Sequence, residues 1–309
     1  MLVVLCLGLI GGLMIVADRM HRHRRYVRAL KMVEHGEHER AIPYLEYRLE
    51  RWPDDIDLRF ALARALHGAD RHAESVEHLE HLLARAPEHG PAHLLLGRTH
   101  LALGEHAEAA EHLDRAVELR PDDPVAWSTR GRLHLIEDRP IDAESALRQA
   151  QAAGASNGST EAWLGRALFA QGRIDEALAV LDGALAAHPR SREVHFQLAE
   201  VHRLRGSWFV AIERYRAARG LGLDTLACDL GLAIALHEGG APAEAERELE
   251  RMTRDHEREA EPWYRLGLLR EHEGDADGAL VCFERCLSLD PEHAGANEQV
   301  QALRRTAGR

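Results

Sequence analysis

Four arginines stand 34 residues apart, at Arg64, Arg98, Arg132 and Arg166. A guanidinium keeps its charge at any physiological pH. Its fixed fork of N–H donors matches the oxygens of a carboxylate or a phosphate. Side chains that recur at one period act together if the backbone repeats at that period. Stepped onward by 34, the arginine column continues as Glu200, Ile234 and Leu268. Three residues later the column reads His67, Leu101, Leu135, Phe169, Arg203, His237 and Glu271. Four residues before the arginines it reads Phe60, Leu94, Ser128, Ala162, Phe196, Leu230 and Tyr264. The chemistry on offer is anion recognition between apolar neighbours.

Other chemistries find little purchase. The 21 histidines include the pairs His35/His38 and His78/His81, three apart, but neither pair has a third ligand at metal-site spacing. No metal and no cofactor is expected. Patterns for phosphate-binding loops, dinucleotide folds, nucleophile elbows and zinc proteases are absent, so an enzyme is not expected. The cysteines, Cys6, Cys228, Cys282 and Cys286, form no CxxC pair. They are expected to act as small buried hydrophobes. Net charge is -12, and of 39 basic side chains only Lys31 is a lysine. An acidic body argues against nucleic-acid binding, which needs a basic face.

The elements that position the arginines follow from other columns of the same period. In "PWYRLGLLREHEGDADGALVCFERCLSLDPEH", Trp263, Leu266, Gly267, Gly274, Ala279, Phe283 and Pro291 follow a W-x2-L-G, turn glycine, A-x3-F, P pattern. This resembles the tetratricopeptide repeat, a 34-residue helix–turn–helix. Stepping back by 34 from Gly267 gives Ala233, Ala199, Gly165, Gly131, Gly97, Ala63 and Ala29, where two helices approach closely. The turn column reads Gly274, Gly240, Gly206, Gly172, Asp138, Gly104, Asp70 and Gly36, all tolerant of left-handed backbone. Proline ends the second helix at Pro53, Pro87, Pro121, Pro189 and Pro291. Where it is missing, glycines stand nearby for two turns, Gly154 and Gly158 at the first and Gly220 and Gly222 at the second, whereas nothing replaces it at Glu257. The second helix of repeat seven is therefore expected to run longer.

The expected fold is all-α: a right-handed superhelical solenoid of eight repeats preceded by one transmembrane helix. The repeats are placed at 22–55, 56–89, 90–123, 124–157, 158–191, 192–225, 226–259 and 260–293, with a capping helix at 294–309. Ahead of them, Met1 to Ala17 carries no charge and runs into Asp18, Arg19, Arg22, Arg24, Arg25, Arg28 and Lys31. The expectation is an anchor at 1–18, a basic link at 19–21, and repeats on the positively flanked cytoplasmic side of a bacterial inner membrane. The alternative is export to the periplasm. Gly8 and Gly12 match a small-xxx-small pattern for a homodimer, and the basic collar would meet membrane lipid. Anchor, collar and repeats together resemble membrane-bound adaptors of lipopolysaccharide synthesis, without the CxxC metal module of that family.

The repeat resemblance implies that first helices line a concave groove. Arg64, Arg98, Arg132 and Arg166 would form a ladder there, flanked by Phe60, Leu94, Leu101, Leu135, Phe169, Phe196 and Tyr264. The partner would be a protein, through an extended acidic segment or a membrane protein's tail, and the function a scaffold. An envelope or polysaccharide assembly factor and a fixed subunit of a membrane complex are the other readings. The arginines have a second reading too: they pair with Asp and Glu of the solenoid itself, as surface pairs worth under about 1 kcal/mol each.

Overall fold

The computed structural model describes residues 27–223 and 225–307. Those residues form seventeen α-helices and no strand. The chain divides into two compact units, Met1–Ala155 and Ser156–Arg309.

In the first unit, helical residues 27–34 (α1) precede α2 (His38–Arg51), α3 (Ile56–Gly68), α4 (His72–Leu83), α5 (Gly90–Leu103), α6 (His106–Leu119), α7 (Pro124–Ile136) and α8 (Pro140–Ala152). Each of α2 to α7 packs on the next, and alternate helices also meet, α3 on α5 and α5 on α7. The second unit holds α9 (Gly158–Ala170), α10 (Ile174–Ala187), α11 (Arg192–Leu204), α12 (Trp208–Gly220), α13 (Leu226–Glu238), α14 (Pro242–Asp255), α15 (Ala260–His272), α16 (Ala276–Leu289) and α17 (Ala294–Ala307). Its pattern is the same, with α9 on α11 and α11 on α13.

The small-residue column explains the pairing. A Cβ on Gly97 would meet Leu113 Cγ at 2.7 Å, one on Gly131 would meet Leu147 Cγ at 2.6 Å, and one on Gly267 would meet the Phe283 ring at 2.5 Å. Each glycine admits the large side chain of its own partner helix. Leu113, Leu147, Leu181 and Phe283 are thereby fully buried, each stabilising by roughly 1.5–3 kcal/mol. All eight residues of the turn column have positive φ, the aspartates included: Asp70 at 58° and Asp138 at 55°. Gly154 and Gly222 adopt it too, at 95° and 86°, at two of the turns that lack a proline. Cys228, Cys282 and Cys286 are buried, as expected. Ala296 and Val300 of α17 cover Phe283 and Cys286.

Two expectations are corrected. The second helix of the seventh hairpin, α14, is 14 residues long, the same as α2, α6, α10 and α16, each of which is closed by a proline. The His256 N–H bonds Met252 O and the Glu259 N–H bonds His256 O, so backbone bonds close this turn without a proline or glycine. The second correction concerns the transmembrane helix. Among the described residues no helix is long and apolar enough to cross a membrane. Helices α2 to α17 are 12 to 14 residues long, against the roughly 20 apolar residues a bilayer core requires. The fold is an all-α repeat solenoid, and the transmembrane helix and the single-pass inner-membrane location are withdrawn. The stretch 1–18 on which they rested lies outside the described residues, as do Gly8 and Gly12.

Candidate anion-binding site

Successive first helices of the first unit bring the arginine column together. Arg64 on α3, Arg98 on α5 and Arg132 on α7 line one cleft of about 580 Å³, with Leu101 of α5 in its wall. Arg64 and Arg98 are exposed and Arg132 is half-buried. Burial, and then the neighbouring Arg98 charge, hold Arg132 below the ordinary guanidinium value. Among the described residues, none of the three makes an ion pair or a side-chain hydrogen bond.

Pairing is the rule for half-buried arginines elsewhere. Arg71 meets Glu74 at 2.6 Å, Arg173 meets Glu176 at 2.6 Å, and Arg130 meets Asp114. In the second unit Arg203 meets Glu200 at 2.8 Å, Arg251 meets Asp229 at 2.5 Å, and Arg270 meets Glu246 and Glu250 at 3.2 and 3.0 Å. Taking a charge out of water without a partner costs free energy, and Arg132 is half-buried with no such partner among the described residues. The reading of Arg64, Arg98 and Arg132 as internal surface pairs finds no such pairs.

Three histidines absent from the sequence-derived site also line the cleft: His38 at the start of α2, His67 on α3 and His72 at the start of α4. His67 Nδ1 lies 3.0 Å from Thr99 Oγ1, and that hydroxyl already donates to Leu95 O at 2.8 Å. Thr99 therefore accepts, and His67 carries its proton on Nδ1. Burial, then the Arg98 charge and then His72, push the His67 imidazole down to about 4. The His38 ring lies against Gly68, where a Cβ would come within 2.4 Å of it. The Nδ1 atoms of His38 and His72 are shielded from solvent and have no hydrogen-bond partner. Asp70, on a turn with positive φ, is the one acid lining the cleft. It is almost fully exposed and 3.8 Å from His72 Nε2.

The remaining expected groove residues lie elsewhere. Arg166 belongs to the second unit, its guanidinium 5.6 Å from the Trp163 ring centroid. Phe60 packs beside His89, and Leu94 packs against the clusters that hold Leu113 and Ala116. Leu135 is buried, and Phe169 packs against the apolar cluster that includes Leu181 and Leu198. Phe196 is next to Tyr215, and Tyr264 sits between Phe283 and His293. Spacing could flag His67, which follows Arg64 in the next column. His38 and His72 are also 34 residues apart, but they open second helices, a column that the sequence reading did not place in the groove.

Five profiles of the tetratricopeptide repeat match the chain, at residues 26–89, 66–133, 159–201, 226–251 and 260–293, together more than half of it. The chain belongs to the tetratricopeptide repeat family. Among solved structures, this repeat chain is similar to the APC/C hetero-tetramer Cut9–Hcn1 at 19% identity and a TM-score of 0.70, over 86% of this chain and 52% of that one. Yeast Tom70 matches at 19% identity and a TM-score of 0.62, over 87% of this chain and 59% of that one. PilW, a type IV pilus biogenesis factor, matches at 18% identity and a TM-score of 0.58, over 65% of this chain and 93% of that one. The chain thus spans just over half the length of the first two. At these identities the likeness establishes the fold. No match is found among curated proteins. The resemblance to membrane-bound adaptors of lipopolysaccharide synthesis has no support in these comparisons.

The depressed His67 imidazole carries a stability prediction. Neutral in the fold, it protonates in the unfolded chain as pH falls below the ordinary value of 6.5. The unfolded state then binds more protons, so stability drops between pH 6.5 and about 4 and levels off below that. Burial lowers His78, His112 and His202 as well, adding to the same trend. Urea midpoints should decline from pH 8 through 6 to 4.5, with a shallower decline in His67→Gln. A flat profile would contradict the buried-neutral assignment.

Proposed function

We propose that this repeat protein is an interaction scaffold that holds an extended acidic segment of a partner protein in the cleft of its first unit. The observation that carries the reading is the set of three guanidiniums, Arg64, Arg98 and Arg132, that line one cleft and, among the described residues, pair with no carboxylate, the exposed Asp70 of that cleft included. The family fold supports a protein partner, since the similar Cut9–Hcn1 structure is an assembly of two different proteins. Packed helices stand about 8–10 Å apart, and an extended chain advances about 3.3 Å per residue. Arginines one hairpin apart would then meet acids at about every third residue of the segment.

The test is titration of a blocked octaglutamate peptide at low salt, with octaserine as comparison. Net charge on the scaffold is -12, so a polyanion binds only if a local cationic site overrides the overall repulsion. Octaglutamate should bind, weaken at 0.5 M salt through screening, and leave octaserine unbound. Absence of octaglutamate binding at low salt would reject the reading.

A further inference from the structure

We propose that His67 sets the affinity of this cleft by taking up a proton as the acidic segment enters, so that ligand and proton are captured together. The inference rests on the acidic-segment reading above. It adds a residue and a condition which that reading lacks.

The argument starts from the groups around the ring. Arg64 stands one helical turn before His67 on α3, and Arg98 faces it from α5. His72 on α4 lies with its ring centroid 5.2 Å away, and His38 from α2 and the exposed Asp70 complete the surroundings. Arg132 lies in the same cleft on α7. Thr99 fixes the tautomer, because its own hydrogen is committed to Leu95 O. The incoming proton therefore adds at Nε2 and turns an acceptor into a donor. No bond in the ligand breaks. The proton comes from solvent, and the imidazole becomes an imidazolium beside the bound carboxylate.

In the empty cleft this step is opposed. The ring is half-buried, and the charge nearest in effect is that of Arg98, which is unpaired. A ligand carboxylate beside Arg98 reverses the second cause. It screens the guanidinium and supplies an opposite charge to the imidazole. If the complex restores His67 from about 4 to the ordinary value near 6.5, proton linkage makes binding about tenfold tighter at pH 5.5 than at pH 8. Glutamate side chains, at about 4.3, stay largely ionised across this range.

The experiment is calorimetric titration of the full chain with blocked octaglutamate at pH 8 and pH 5.5, each in two buffers of different ionisation enthalpy. The expected result is an affinity ratio of about ten and uptake of nearly one proton per peptide at pH 5.5. In His67→Gln, which has no group that takes up a proton in this range, the ratio should collapse towards one and the uptake should vanish. In His38→Gln and in His72→Gln both should persist. A second readout needs no substitution: the labelled His67 ring should titrate near pH 4 alone and near 6.5 in the complex. Binding without proton uptake, or uptake that survives His67→Gln, overturns this inference and leaves the acidic-segment reading standing. Failure of octaglutamate to bind at either pH overturns both.

Discussion

Reversing the charge at Arg98 and Arg132 together should weaken capture of octaglutamate by at least about a hundredfold at low salt while leaving the fold intact. Arg132 is the half-buried member of the cleft, so its pair with a ligand carboxylate forms where water is partly excluded. Losing a pair of that kind costs roughly 2 kcal/mol or more, and the exposed pair at Arg98 adds up to about 1 kcal/mol. Together about 3 kcal/mol is more than a hundredfold in affinity. Neither substitution breaks an internal ion pair, because neither arginine makes one among the described residues. Arg98→Glu alone places an acid beside Arg132 and should hold or slightly raise the melting temperature. The matched control is Arg115→Glu with Arg148→Glu, which changes net charge equally on exposed faces that pair with Glu118 and Glu144. That variant should bind within about threefold of the parent chain. Unchanged capture by the Arg98/Arg132 variant would remove the cleft from consideration.

A second large effect belongs to stability. Gly231→Ala should destabilise the second unit by about 3 kcal/mol, although it only replaces one hydrogen by a methyl group. A Cβ there would lie 2.5 Å from Cζ and Oη of Tyr215. The ring cannot retreat, for it is fully buried against Ala199, Cys228 and Leu232. Its hydroxyl donates to Glu200 and accepts from Arg203 Nε at 3.1 Å. Burial, then the Glu200 charge, push the phenol well above its ordinary value, so it remains a donor throughout the physiological range. Gly97→Ala is the informative contrast. Its neighbour is Leu113, a flexible side chain that can shift, so a smaller cost of about 1–2 kcal/mol is expected. Combining Gly231→Ala with Tyr215→Leu should recover part of the loss, since leucine fills the equivalent slot at Leu113, Leu147, Leu181 and Leu249. Urea unfolding of the two single variants and the double variant measures the coupling. A Gly231→Ala change below about 0.5 kcal/mol would show that the contact is not tight.

These two residues also mark how far the primary structure could be read. The crossing glycines and turn residues were legible because each answers a requirement that recurs with every hairpin: close approach, or left-handed backbone. Gly231 stands outside those columns. It answers a single tyrosine that reaches beyond its own hairpin, and a requirement met once leaves no period. The arginine column was legible as a column, but its pairing was not. Whether a guanidinium finds a carboxylate depends on side chains that come from neighbouring helices at unrelated spacings. His38 and His72 do share the 34-residue step, but their column continues as His106, Pro140 and Ile174, and it lies on second helices that the groove reading left out. The length of α14 was misjudged because backbone hydrogen bonds closed its turn without proline or glycine. The apolar opening of the chain suggested a membrane span, which no described helix is long and apolar enough to provide.

Tyr215 has one more consequence. An array of hairpins comes apart according to the strength of each hairpin against the strength of its coupling to the next. Most couplings here are apolar contacts of similar kind. Between α12 and α13 the coupling includes a ring seated on the neighbour's backbone at Gly231, and the ring's hydroxyl is tied back to Glu200 and Arg203 of α11. That makes α11, α12 and α13 a cooperative block. As denaturing conditions build, these three helices should be lost together in one step.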